Sequence, residues 1–116
     1  MNRLDNKVAL ISGAARGIGA ETARLMSQAG AKVVVADVLS DVGQATAQTI
    51  SEEGGEALYV DLDVSREDSW AAAVDAAVGH FGKLDILVNN AGLFLGQDFE
   101  EVALDDWNRL VAVNLT

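Results

Sequence analysis

Residues 12–19 read SGAARGIG, with glycine at 13, 17 and 19. The apolar run Val8-Ala9-Leu10-Ile11 leads into them. Behind them Ile18, Thr22, Leu25, Met26 and Ala29 recur at helical spacing, and Gly30 stands where a helix C-terminus takes glycine. A glycine loop between a strand and a helix is the setting in which such a loop carries chemistry. Without β-carbons, a pyrophosphate can approach the backbone. The unpaired N–H groups at the helix start then bind it, helped by the helix dipole. The competing reading is steric: Gly17 or Gly19 serves only close helix–strand packing, and for Gly19 that reading stays open.

Working outward, strands and helices alternate. Residues 7–12, 32–36, 56–62 and 85–89 read as short strands. Their apolar positions run consecutively, as expected of parallel strands covered on both faces. A helical pattern over 41–53 carries Val42, Ala45, Thr49 and Ile50 and stops at Gly54-Gly55. Ser65-Arg66-Glu67-Asp68 reads as a capping box with Asp in place of Glu. The helix behind it presents Trp70, Ala73, Val74, Ala77, Val78 and Phe81, and Gly82 ends it. Residues 93–103 form a connection of unassigned shape. In 104–116, Leu104, Trp107, Leu110, Val111 and Leu115 predict a last helix. Strict alternation of strand and helix implies an α/β, doubly wound parallel sheet, a Rossmann fold, with about four strands over one domain, 1–116. The last helix meets no stop signal, and the fourth strand would lie at an open edge. Both features lead us to expect a longer natural chain.

Asp37 ends the second strand, at the crevice outside the carboxyl ends of the strands. It follows Gly13 by 24 residues, near the roughly 20-residue spacing of the acid that accepts bonds from an adenosine ribose. A carboxylate there repels a 2′-phosphate and favours NAD over NADP. Arg16, a cation inside the glycine loop, pulls the other way. The alternative for Asp37 is a polar strand terminus. At this point two enzyme classes fit, dinucleotide-dependent oxidoreductases and methyltransferases using S-adenosylmethionine.

Composition narrows the partners. Eight Lys and Arg stand against 18 Asp and Glu, a net charge of −10. That balance disfavours nucleic acid and anionic membrane surfaces. With no cysteine there is no thiolate chemistry and no disulfide framework. The one histidine, His80, has no ligand set beside it, so no metal is expected. The polar start MNRLDNK does not resemble a secretory signal, and the cytoplasm is the expected compartment.

Three further stretches separate the two enzyme classes: Asn89-Asn90-Ala91-Gly92 after strand four, Asp63-Val64 after strand three, and Asn114-Leu115-Thr116. With SGAARGIG they resemble the short-chain dehydrogenase/reductase family along the whole chain. Ser12 stands where that family's motif usually has threonine, and it keeps a hydroxyl. The resemblance implies an oxidoreductase moving a hydride between a nicotinamide cofactor, NAD preferred, and an alcohol or carbonyl substrate. It implies that Gly13, Gly17, Ile18 and Gly19 line the cofactor's pyrophosphate, with Arg16 beside them as a cofactor-binding cation. Asp37 would bind the ribose, and Asp63 with the Val64 backbone the adenine. Asn89, Ala91 and Gly92 would flank the nicotinamide side, and Asn90 would help hold the strand. Leu93, Phe94 and Leu95 then reach the active-site mouth or cover the core. Asn114 would belong to the catalytic set, tied to a water-mediated proton relay; the alternative is a buried amide bonded to backbone. Such enzymes are commonly homo-oligomers, and Trp107 and Leu110 belong to that contact or to the core.

The family's catalytic serine, tyrosine and lysine have no counterpart in these residues. The one tyrosine, Tyr59, is followed four positions later by Asp63 where the family has lysine. The second hypothesis is therefore a dinucleotide-binding module or fragment without turnover. The substrate is not legible.

Overall fold

A computed structural model describes residues 3–90 in full and the backbone of residues 111–114. The elements run β1 (Val8–Ser12), α1 (Gly17–Gln28), β2 (Lys32–Asp37), α2 (Ser40–Glu52), β3 (Ala57–Asp61), α3 (Glu67–Phe81), β4 (Ile86–Asn89) and β5 (Val111–Asn114). All pairings are parallel, in the order β3-β2-β1-β4-β5. The order reverses at β1, so the chain runs out to one side through β2 and β3 and then crosses to β4. That reversal opens a crevice at the carboxyl ends of β1 and β4.

The consecutive apolar run of β1 divides between two cores, because strand side chains alternate faces. Val8 and Leu10 join Val34, Ala36, Leu87 and the α3 residues Trp70, Ala73, Val74 and Ala77 on one side. Ala9 and Ile11 join Val33, Val35, Val88, Ala23 of α1 and Ala47 and Ile50 of α2 on the other. Every residue of β1 is fully buried. The Trp70 indole, 2% exposed, donates to the Val64 carbonyl at 3.0 Å and ties the loop after β3 to the α3 core.

Helix ends explain why the elements stop where they do. After α1, Gly30 N–H bonds Ser27 O at 2.9 Å and Ala31 N–H bonds Met26 O at 3.0 Å, the paired closure of a Schellman motif. Gly30 has φ 106°, which that closure requires.

Two expectations need correction. The predicted capping box does not form. Arg66 is the N-cap of α3 and no side chain caps it. Ser65 turns instead to Asp63, its hydroxyl and N–H both donating to Asp63 Oδ1 at 2.6 and 3.0 Å. Asp68 pairs with Arg66 at 2.7 Å. The second correction concerns the segment after β4. The predicted helix over 104–116 is not formed at 111–114, which is the strand β5, in register from Ile86↔Val111 to Asn89↔Asn114. Helical spacing and the strand preference of the β-branched Val111 and Val113 compete in that sequence. The unpaired N–H and C=O groups along β4 favour the strand. Among the described residues β4 is therefore an interior strand, and β5 joins the four strands read from the sequence to make five.

At the amino end of the sheet, β1 and β4 are joined by Asp85. Its N–H donates to Val8 O at 2.9 Å, and its Oδ2 accepts from Val8 N–H at 2.9 Å. Lys83 Nζ lies 3.1 Å from the same carboxylate. Partial burial pushes the Asp85 carboxyl up, but the Val8 and Lys83 bonds outweigh it and the net direction is down. A carboxyl held below its unfolded value contributes stability at neutral pH that is lost as pH falls through the folded value. Asp85→Ala also leaves the buried Val8 N–H without an acceptor, so it should cost about 1–3 kcal/mol at pH 7. Denaturant unfolding across a pH series should show that cost shrinking below about pH 4.

Candidate dinucleotide site

The crevice is built on the loop between β1 and α1. Gly13 and Gly17 have φ 64° and 66°, a region that costs other residues roughly 1–2 kcal/mol. A β-carbon on Gly17 would meet nothing within 4 Å, so this glycine answers to backbone shape and leaves open space beside it. Gly19 differs. It is buried in α1, and a β-carbon there would fall on the Gly13 carbonyl oxygen and within 2.8 Å of Asn90 Nδ2. Of the two readings of Gly19, the steric one is what this geometry supports, although the contact is with the loop and Asn90 rather than with a strand.

The start of α1 is open to an anion. Its N-cap, Arg16, is extended at φ −154° and ψ 175°, and no side chain caps it. The first turn holds no acid, whereas α2 has Asp41 and α3 has Glu67 and Asp68 there. The first helical backbone bond runs from Ala20 N–H to Arg16 O at 3.4 Å. The N–H groups of Gly17, Ile18 and Gly19 thus have no acceptor among the described residues. Arg16, Gly17 and Ile18 are exposed, Ile18 at 70%. Uncapped donors, a favourable dipole and a bare Gly17 suit a phosphate group.

Around this loop the neighbouring strands supply polar holds. Asp37, at the end of β2, accepts from Ala15 N–H at Oδ2 (3.0 Å) and from Val38 and Leu39 N–H at Oδ1 (2.7 and 3.2 Å). Thr46 of α2 donates to Ala15 O at 2.6 Å. Ala14 N–H donates to Ala36 O at 3.2 Å. Asn90 Nδ2 donates to Gly13 O at 3.3 Å, so Asn90 holds the loop as well as following the strand. Buried Ser12 directs its hydroxyl to Val88 O and Asn89 Oδ1, at 3.4 and 3.3 Å, across the β1–β4 seam.

Asp63 is exposed beside a groove that also involves Val38, Asp61, Leu62, Arg66 and Ser69. The Ser65 hydroxyl and N–H hold the Asp63 carboxyl below the usual carboxylate range. The Asp63 N–H is taken by Ser69 Oγ at 2.8 Å, and the Val64 carbonyl by Trp70. Of the expected adenine contacts, Asp63 Oδ2 and the Val64 N–H accordingly have no bond among the described residues. Tyr59 Oη lies 2.6 Å from Asp37 O and 2.9 Å from Asp61 Oδ1. Burial, then the Asp61 carboxylate, pushes its hydroxyl above the ordinary tyrosine value, opposite to what a general base needs. Its ring fills the space over Gly43.

The structure brings together Gly13, Arg16, Gly17, Ile18, Gly19 and Asp37, with Asn89 and Asn90 across the seam. Asn114 stands not on a helix but in β5, in register with Asn89. Ala91 and Gly92 lie outside the described residues, as do Leu93, Phe94, Leu95, Trp107 and Leu110. Sequence reading missed Thr46; a polar residue between Val42 and Ile50 on α2 was its one signal.

A family model for short chain dehydrogenase matches residues 7–116. The chain belongs to the short-chain dehydrogenase family. It is 49% identical to a trans-4-hydroxycyclohexanecarboxylate dehydrogenase of Sinomonas cyclohexanicum, over 99% of this chain and 47% of that protein. It is also 49% identical to a 3-alpha-(or 20-beta)-hydroxysteroid dehydrogenase of Mycobacterium bovis, over 98% of this chain and 43% of that protein. Among solved structures it resembles a 7α-hydroxysteroid dehydrogenase complexed with NADH and 7-oxo glycochenodeoxycholic acid. That match has TM-score 0.76 and 38% identity, over 92% of this chain and 42% of the other. The chain thus spans less than half the length of these short-chain dehydrogenases. Family membership brings with it an NAD(P)-type cofactor.

The two kinds of glycine predict different lesions. Gly17→Ala should cost about 1–2 kcal/mol through φ alone and leave the Asn90 side-chain amide resonances in place. Gly19→Ala should cost about 1–3 kcal/mol by overpacking and shift those resonances. Thermal unfolding and amide spectra of the two variants check this.

Proposed function

We propose that these residues bind a nicotinamide dinucleotide, NAD(H) in preference to NADP(H). We further propose that the whole protein they belong to is an oxidoreductase interconverting an alcohol and a carbonyl compound. The observation that carries the reading is the uncapped start of α1. Three N–H groups without described acceptors sit behind a bare Gly17, with no acid in the first turn. In this reading Gly13, Arg16, Gly17, Ile18 and Gly19 surround the pyrophosphate, and the backbone N–H groups bind it. Asp37 already accepts three N–H bonds. A carboxylate has about four acceptor sites, so capacity remains for a ribose hydroxyl. Its charge would repel a 2′-phosphate, which supports NAD over NADP, while Arg16 is the group that would tolerate one.

The adenine would lie in the groove beside Val38 and Asp63, with Val64 N–H as a donor. Asn89, Ala91 and Gly92 would border the nicotinamide side. When bound, the nicotinamide ring supplies the hydride donor or acceptor. Asn114, in register with Asn89 at the carboxyl end of β5, would hold a water in a proton relay. Tyr59 has no part in proton transfer, its hydroxyl being committed to Asp37 and Asp61. These 116 residues contain no Tyr-x-x-x-Lys. By themselves they would bind the cofactor without turning substrate over. The similarity to relatives named for hydroxysteroids and a hydroxycyclohexane carboxylate supports a cyclic alcohol as the substrate class. A small-molecule substrate, a homo-oligomeric whole protein and a cytoplasmic site are part of the same proposal.

NADH titration followed by fluorescence tests the reading, and failure to bind NADH or NADPH at millimolar concentration would falsify it. Asp37→Ala and Asp37→Arg should shift the NAD-to-NADP affinity ratio toward NADP by about tenfold or more, the weight of a charged hydrogen bond. An unchanged ratio removes Asp37 from the ribose.

A further inference from the structure

Ala15 is held at both of its peptide groups by two elements. Its N–H donates to Asp37 Oδ2 of β2 at 3.0 Å, and its carbonyl accepts from Thr46 Oγ1 of α2 at 2.6 Å. Ala15 is buried, while Arg16, Gly17 and Ile18 just beyond it are exposed. The Ala15 carbonyl belongs to the peptide that leads directly into the N-cap Arg16. The orientation of that peptide sets the direction in which α1 begins, and so where the N–H groups of Gly17, Ile18 and Gly19 point.

We propose that Thr46 is a positioning residue for the dinucleotide. Its hydroxyl locks the Ala15 carbonyl, so that the anion-binding N–H groups of α1 are aimed before any ligand arrives. The proposal deepens the dinucleotide reading above and rests on it.

Three observations support an orienting role for Thr46. Its hydroxyl donates across 31 positions of sequence to the glycine loop, whereas Thr49 and Thr22 bond only to carbonyls of their own helices. At 2.6 Å the bond is at the short end of the range for hydroxyl–carbonyl pairs. The remaining holds on the loop act earlier in the chain, at Gly13 and Ala14. Preorganised donors bind an anion more tightly because the cost of ordering the loop is met on folding rather than on binding. The clamp also makes Asp37 bifunctional. Its Oδ2 secures the loop while its remaining acceptor capacity serves the ribose. Thr46, by fixing the other side of Ala15, holds the N–H that orients that carboxylate.

The test uses the full-length protein with Thr46→Val, which keeps the shape and removes the hydroxyl, and Thr46→Ser, which keeps the hydroxyl. NADH affinity and ligand-free hydrogen exchange of the Ala15 amide are both measured. Thr46→Val should weaken NADH binding about fivefold, the equivalent of one ordinary hydrogen bond, and should speed exchange at the Ala15 amide. Thr46→Ser should restore both to near the wild-type values. Unchanged affinity in Thr46→Val, or equal losses in the two variants, overturns the proposal, since packing alone would then account for Thr46. The exchange measurement needs no ligand. A wild-type protein that binds no NADH therefore sinks the dinucleotide reading, while unaltered exchange in Thr46→Val sinks the clamp.

Discussion

The enclosure of β1 on four sides is the constraint on which the rest of this structure depends. Its backbone is bonded to β2 on one edge and β4 on the other. Its side chains are covered by α3 on one face and by α1 and α2 on the opposite face. A strand with no exposed residue leaves its chain one way out, at the carboxyl end. There the side chains must thin if α1 is to start against the seam between β1 and β4. The glycine loop is the consequence. It emerges at the one point where the sheet order reverses, so the ends of β2, β1 and β4 all face it.

The loop's own polar groups are satisfied unevenly, and the unevenness is chemical in content. Before Arg16, the backbone is paired with Ala36, Asp37, Thr46 and Asn90. After Arg16, three successive N–H groups have no described partner, no side chain caps them and no carboxylate lies in the turn. A helix start with no cap of its own forgoes about 1 kcal/mol. An exogenous anion can take the cap's place at such a start. The acids surrounding the crevice are bound to local N–H and hydroxyl groups. Asp37 bonds Ala15, Val38 and Leu39, and Asp63 bonds Ser65. In the proposed reading their charge would lie at the ribose and adenine rather than at the phosphates.

Tyr59 and Thr46 show how side-chain chemistry depends on neighbours that are distant in the chain. A tyrosine in a chain of the short-chain dehydrogenase family invites a catalytic reading. Burial, the Asp61 carboxylate to which its hydroxyl bonds and the negative charge of nearby Asp37 instead make this one a weaker acid than usual. Thr46 has no motif around it, yet it grips the glycine loop at the Ala15 carbonyl.

The amino-acid sequence alone determined the alternation of strands and helices from 7 to 89, the parallel sheet and the glycine loop. Each rests on local information: apolar runs, helical spacing and turn residues. It also singled out Asp37 by its distance from Gly13, because a strand–helix–strand unit has a nearly constant length. Only tertiary structure decided the rest. Ser65 turned to Asp63 rather than capping α3, because the helix takes Arg66 as its N-cap and leaves Ser65 one residue outside it. Val111–Asn114 became a strand because the edge of β4 offered backbone partners that no local pattern reveals. The different reasons for Gly17 and Gly19, one of backbone angle and one of contact with Gly13 and Asn90, emerged only once β1 and β4 lay side by side. Thr46 meets Ala15 only because α2 packs back over β2. Local periodicity records which face of an element is buried; it does not record which atom on that face meets which.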